Sequence, residues 1–521
     1  MKRYQKANEG VHAPEEAKER AARPDGRPSR ARWMGAVAAV LAVVILGGVA
    51  LWPGRTHDPS PMSLEGPSGP PGRSLDPILT PPPTPVPLPI LTGQANSLAT
   101  AVYPETVPFP KEEDYISPLT GEFDYDKYSR AYDAWLESRE ALASGTDYAG
   151  VMDGFLSAST AQFLAGAGAE NRIYSPLNVY MALSMLAETA GGNSRQQLLD
   201  LLGVDSVETL RQRASALWRD NYRDDGIVTS LLANSLWLRD GMTYSREVLD
   251  TLAADYYASS FSGEMGSEEY DRALRSWLNE QTKGLLAQQA DGVSMDAETV
   301  LALASTVYFK AAWSSKFDTY STERDIFHAP TGDVEADFMR SSAQRIYYWG
   351  EHFAAVELSF QHGGSMWLIL PDEGTGPDDL LTTSEAMDFL LTDKYSYAGS
   401  KFLTVHLSMP KFDVSSDLDL IEGLRSLGVT DVFDHRVSDF GPLEASTDYP
   451  LYVSQARHAA RVKVDEEGCE AAAFTLIGIG EATAMPPEDE VDFILDRPFL
   501  FAVTGESGLP LFVGVVNQPN G

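Results

Sequence analysis

The chain has 521 residues, 43% of them hydrophobic, with 40 Lys plus Arg against 75 Asp plus Glu and a formal charge of −35. It is too apolar for a disordered acidic chain and long enough for one large domain or two ordinary ones, and it has no cluster of basic residues of the kind phosphate binding needs, which argues against nucleic acid as a partner. A single cysteine, Cys469, excludes an intramolecular disulfide and any cysteine-based zinc site.

In chain order, residues 1–32 form a basic tail with nine Lys or Arg and five Asp or Glu. Trp33 to Trp52 are twenty uncharged residues with a Trp at each end, the length of a membrane-crossing helix. Positive charge before this segment, with only Arg55 and Arg73 soon after, predicts a cytoplasmic N-terminus and an extracellular body held by a single-pass anchor in the cell membrane. The alternative is a signal peptide cut near Gly48-Val49-Ala50 and a secreted product. With no cysteine near the span, a lipoprotein anchor is excluded. Residues 53–95 read as a Pro-rich linker, with thirteen of the chain's 32 prolines between Pro53 and Pro89. In extended polyproline II form, at ~3.1 Å per residue, it reaches up to ~110 Å.

Residues 96–148 are an acidic N-terminal extension in which Tyr128, Tyr132 and Trp135 are spaced as one face of a helix, either docked on the body or offered to a partner. From residue 149 to 521 the apolar period switches repeatedly. Val179–Leu186, Arg195–Leu202 and Tyr270–Leu285 read as helices; Ser230–Leu238, Val300–Phe309, Phe353–Phe360, Ser365–Leu370 and Phe402–Leu407 read as strands. The pattern predicts one large α+β domain without an internal repeat.

Familiar catalytic motifs are missing: the sequence holds no Gly-x-Ser-x-Gly elbow, His-Glu-x-x-His helix, phosphate-binding Gly-x-x-x-x-Gly-Lys loop or EF-hand loop. Gly478-Ile479-Gly480-Glu481-Ala482-Thr483 is a partial dinucleotide fingerprint that lacks its third glycine and opens no helix. No two of the eight histidines have metal-ligand spacing, and no cofactor is expected. A Ser/His/Asp hydrolase stays open on spacing alone, because triad members meet only in space.

One stretch reads as a strand that waits. At period two from Cys469, one face holds Cys469, Ala471, Ala473, Thr475, Ile477 and Ile479, all uncharged; the other holds Glu470, Ala472, Phe474, Leu476, Gly478 and Gly480. Gly468 offers a hinge at its entrance, and Glu481 to Glu490, with Pro486-Pro487, reads as exposed loop. Such a segment suits conditional insertion into a sheet, or else an ordinary alanine-rich helix or edge strand.

The hinge Glu466-Glu467-Gly468-x-Glu470-Ala471-Ala472-Ala473-x-Thr475 resembles the reactive-loop hinge of the serpin family of protease inhibitors. Tyr174-Ser175-Pro176-Leu177 and His458 resemble the shutter beneath the central sheet, with Asn178 and Ser305 in an exchange of the family's usual Ser and Asn. Val307-Tyr308-Phe309-Lys310-x-x-Trp313 resembles the strand that ends at the breach tryptophan, where insertion begins. Met409-Pro410-Lys411-Phe412, Arg497-Pro498-Phe499-Leu500-Phe501 and Pro510-Leu511-Phe512-Val513-Gly514-Val515-Val516-Asn517 resemble further family signatures in the expected order. The resemblance covers about residues 149–521.

It implies a serpin fold, with a large central β-sheet, two further sheets, about nine helices and an exposed reactive-centre loop. It also implies a monomeric, non-enzymatic suicide inhibitor of serine proteases, whose cleaved loop inserts into the central sheet. Family spacing from Glu466 puts the scissile bond at Ala482-Thr483, with Thr483-Ala484 and Ala484-Met485 as alternatives. Small side chains there imply elastase-like or subtilisin-like targets with shallow primary pockets; no Lys or Arg between Ala471 and Asp496 suits a trypsin-like one, and Glu481 narrows the choice further. Cys469 stands where Thr or Ser is usual, so its oxidation is expected to stall insertion and turn inhibitor into substrate. The competing reading is a serpin fold that binds at the cell surface without inhibiting. The absence of any Asn-x-Ser/Thr sequon favours a bacterial source.

Overall fold

The computed structural model describes residues 96–148, 150–383, 385–391, 397–444, 451–469 and 489–519. The tail, the Trp33–Trp52 segment and the Pro-rich linker lie outside them, and no helix among the described residues is long and apolar enough to cross a membrane.

Two sheets organise the body. The first has the strand order Asn96–Ala99, Ala258–Gly263, Thr229–Arg239, Leu301–Ala312, Gly468–Cys469, Arg457–Val464, Phe412–Asp419, with the short Arg223–Asp224 pairing onto Thr229–Arg239. Its central strand Thr229–Arg239 is buried on both faces. Leu232, Leu236 and Leu238 join the main core, while Ala233 and Trp237 meet Tyr270, Ala273, Leu274 and Trp277 of the helix Glu268–Gln281 on the other side. Two covered faces explain why this strand reads as a nearly continuous apolar run.

The second sheet has nine strands. Its order is Glu490–Ile494, Ser400–Pro410, Gly332–Trp349, Phe353–Ser359, Ser365–Pro371, Phe499–Thr504, Pro510–Val516, Arg172–Tyr174, with Glu323–Ala329 paired onto Gly332–Trp349. The long strand Gly332–Trp349 pairs with Ser400–Pro410 over most of its length and with Phe353–Ser359 at its end, so the two further sheets expected are joined into one ladder. Eleven α-helices occur among the described residues, against the nine or so expected.

All eight elements read from the sequence are present, mostly longer than their apolar cores suggested. Two end short of their expected bounds: the strand from Phe353 stops at Ser359 instead of Phe360, and the helix expected to run to Leu285 stops at Gln281, after which Lys283 and Gly284 take left-handed φ values of 51° and 82° that close a turn. The extension is part of the body. Asn96–Ala99 adds an antiparallel strand to the edge of the central sheet, and the helix Tyr125–Leu142 docks with Trp135 buried and Tyr128 and Tyr132 half-buried. Docking is thus the outcome of the two readings of that aromatic face.

Candidate functional site

The site is the middle of the central sheet. Gly468–Cys469 is a two-residue strand antiparallel to both neighbours: Gly468 and Cys469 pair with Ala312 and Ala311, and Cys469 pairs with Val464. Leu301–Ala312 and Arg457–Val464 therefore run in the same direction. Among the described residues, their only shared ladder partner is this short strand at one end. Cys469 is 2% exposed and belongs to the main core with Ala311 and Val464.

The residues leading into this strand are anchored. Trp313, 1% exposed, donates its indole Nε1 hydrogen to the Asp465 carbonyl at 2.9 Å, and its backbone N–H to Glu467 O at 3.0 Å. Its ring stacks on Phe360 at 4.9 Å between centroids. Glu466 is nearly buried; its carboxylate takes Lys411 Nζ at 3.0 Å and the Thr322 hydroxyl at 2.9 Å. Burial alone pushes the Glu466 carboxyl up, but the bonds from Lys411, the backbone and Thr322 outweigh it and hold the group below its ordinary value. Glu467 pairs with Lys316. Gly468 is needed for closeness: a Cβ would collide with the Ala311 carbonyl oxygen and lie 2.8 Å from Ala312 Cα. The sequence reading gave it the role of a flexible hinge; the structure adds a steric one.

Below this entrance lies a hydrogen-bonded lock. Ser175 caps the helix Pro176–Thr189, accepting the Asn178 backbone N–H at 3.3 Å, with Pro176 in the first turn where its missing N–H costs nothing. The Ser175 N–H in turn donates to His458 Nε2 at 3.0 Å. The Asn178 amide donates to the Ser305 carbonyl at 3.0 Å, the Ser305 hydroxyl donates to Asn234 Oδ1 at 2.7 Å, and the Asn234 amide donates to the Tyr256 carbonyl at 3.0 Å. One helix start thus ties both strands that flank the hinge. His458 accepts through Nε2, so its neutral form carries the proton on Nδ1; burial lowers its pKa to about 4, against a small opposing effect of Asp417.

Ser175, Asn178, His458 and Ser305 are brought together, and Trp313, Glu466, Glu467, Gly468 and Cys469 form the entrance above them. Glu470, Ala471, Ala472, Ala473 and Thr475, and the bond residues Ala482, Thr483, Ala484 and Met485, lie outside the described residues. The sequence reading missed Asn234, Lys316 and Thr322, and gave Lys411 no role of its own. Asn234 had one signal, a lone amide within the apolar run Leu231 to Leu238; the partners of Glu466 and Glu467 come from distant segments and had none.

The arrangement is a two-residue strand, Gly468–Cys469, entering between two strands of common direction above a hydrogen-bonded helix start. A family model described as Serpin (serine protease inhibitor) matches residues 155–519, and the chain belongs to the serpin family. It is 30% identical over 375 residues to Serpin-Z1A of Triticum aestivum, covering 70% of this chain and 93% of the wheat protein. It is similar in structure to the native state of the thermophilic serpin tengpin, with TM-score 0.63 and 26% identity over 70% of this chain and 93% of tengpin. Arabidopsis AtSerpin1 in its native stressed conformation gives TM-score 0.61 and 27% identity over 73% and 98%. Serpins are in general protease inhibitors and not enzymes.

Proposed function

We propose that the protein is a suicide-substrate inhibitor of serine proteases with shallow primary pockets, elastase-like or subtilisin-like. The observation that carries this reading is Gly468–Cys469 already paired between two strands of common direction. The protease serine attacks the Ala482 carbonyl carbon, the bond to the Thr483 nitrogen breaks, and the new amine leaves with a proton from the protease's histidine while Ala482 stays esterified. The freed strand then continues inward from Cys469. Some 16 residues at ~3.3 Å each carry the acylated protease ~50 Å, and trapping requires this movement to precede hydrolysis of the ester.

The location of the body outside the cell, on a Trp33–Trp52 anchor and a Pro-rich stalk, is part of the same proposal. It rests on the uncharged twenty-residue run and the basic tail before it.

Incubation with a pancreatic-type elastase tests the mechanism. A protease adduct that survives denaturing electrophoresis, with release of a peptide beginning at Thr483, is expected. Clean turnover without an adduct refutes inhibition, and binding without cleavage points to the non-inhibiting surface protein.

A further inference from the structure

Residues 96–142 lie outside the segment matched by the family model. Asn96–Ala99 pairs toward the far end of the sheet, level with Leu301 and Leu303, and the later part of the extension reaches the end where the hinge enters. One part of the extension holds the outer strands. Asn96–Ala99 pairs with Ala258–Gly263, the Ala101 N–H donates to Ser259 Oγ at 3.1 Å, and Val102 N–H donates to Ala253 O at 3.2 Å. Phe109 N–H then donates to the Asp225 carbonyl at 2.9 Å, and Trp135 Nε1 donates to the Asp225 carboxylate at 3.1 Å, just ahead of Thr229–Arg239.

Another part holds two hairpin turns of the second sheet. Phe109 packs on the His362 ring at 4.8 Å between centroids and Trp135 meets it edge-on at 6.2 Å, while Arg139 pairs with Glu506. Arg223 closes the gap between the two halves: it pairs with Asp225 at 2.6 Å and Glu506 at 2.9 Å and donates to the His362 carbonyl. The turn itself is tightly wound, with φ of 59°, 115° and 83° at His362, Gly363 and Gly364. It touches the entrance directly, since the Gln361 N–H donates at 2.9 Å to Ala312, the residue opposite Gly468, and Phe360 stacks on Trp313.

Admitting a full strand requires the group from Asn96–Ala99 to Leu301–Ala312 to move away from Arg457–Val464 and Phe412–Asp419. The second group is tied to the second sheet, because Phe412–Asp419 follows Ser400–Pro410 after one residue and Ser416 accepts the Ile173 N–H at 2.8 Å. A segment fastened both to the first group and to the second sheet opposes that movement.

We propose that residues 96–142 are a strap that restrains the outer half of the central sheet and so sets the rate at which the hinge strand is admitted. The inference rests on the loop-insertion reading, and the two can fail separately. The full chain and its Phe109→Ala, Trp135→Ala and Arg139→Ala variants are held intact at a sub-denaturing temperature, and the first-order rate of conversion to an uncleaved, heat-resistant form is measured. Leu119→Ala, in a side chain 95% exposed on the same extension, is the control. Loss of either aromatic contact is expected to raise the rate about fivefold, Arg139→Ala less, and the control not at all. If the aromatic variants do not fold, Arg139→Ala decides, since it removes one ion pair and leaves the aromatic cluster whole. Wild-type rates in every folded variant overturn the strap, provided that elastase nicking of the same wild-type sample yields a heat-resistant product. If nicking does not, loop insertion itself is wrong and the strap falls with it.

Discussion

At the scale of single residues, function depends on groups whose burial leaves them no latitude. His458 is 4% exposed and must be neutral to accept from Ser175, with a folded pKa of about 4 against an ordinary 6.5. The unfolded chain therefore binds the proton more readily, so this contribution is complete above pH 6.5 and declines as pH falls toward 4. By pH 5 the loss amounts to about 2 kcal/mol. Denaturant unfolding between pH 7.5 and 5 measures it: a His458→Gln variant, unable to titrate, is expected to show a flatter profile over that range, and parallel profiles contradict the assignment. Gly468 gives a second prediction. Gly468→Ala puts a methyl group against the Ala311 carbonyl and displaces the hinge strand, so the number of inhibitor molecules consumed per protease inactivated is expected to rise severalfold. An unchanged stoichiometry would mean that the close approach is irrelevant to insertion.

At the scale of elements, the helix Pro176–Thr189 acts as a bolt through its first turn. Ser175 reaches Arg457–Val464 through His458, and Asn178 reaches Leu301–Ala312 through Ser305. Asn178→Ala removes the second link and leaves the Ser305 carbonyl short of a donor, at a cost of about 1–2 kcal/mol. Spontaneous conversion to the inserted form should quicken, because the lock acts on the waiting state; differential scanning calorimetry at two scan rates is the check. Much of this was legible in the sequence, since Tyr174-Ser175-Pro176 combines a cap with a helix-starting proline and the strand cores announce themselves by apolar period. The strand Gly332–Trp349 was not legible. Its residues alternate between exposure and burial over only part of its length, and it serves partners on different sides along its course, so no single period runs through it. The helices Asp153–Leu164, Val207–Asn221 and Arg246–Asp255 also went unread, although Ser206 and Ser245 cap two of them; a search for caps ahead of apolar periods finds both.

At the scale of the whole molecule, the proposed mechanism needs a waiting form held by a barrier, so nicking the loop should produce a far more heat-resistant protein, whereas equal melting of nicked and intact forms would end the inhibitor reading. What composition could not reveal is that the acidic extension is structural: its aromatic face and edge strand find partners 90 or more residues away, and nothing local marks Asp225 or His362 as their seats. The lone thiol supplies the molecule with a clock. Cys469 is sealed between Ala311 and Val464, so an alkylating reagent added to the intact protein marks only those molecules whose sheet end has momentarily sprung apart, and the labelling rate counts these excursions in a chain that offers no other sulfhydryl to confuse the tally.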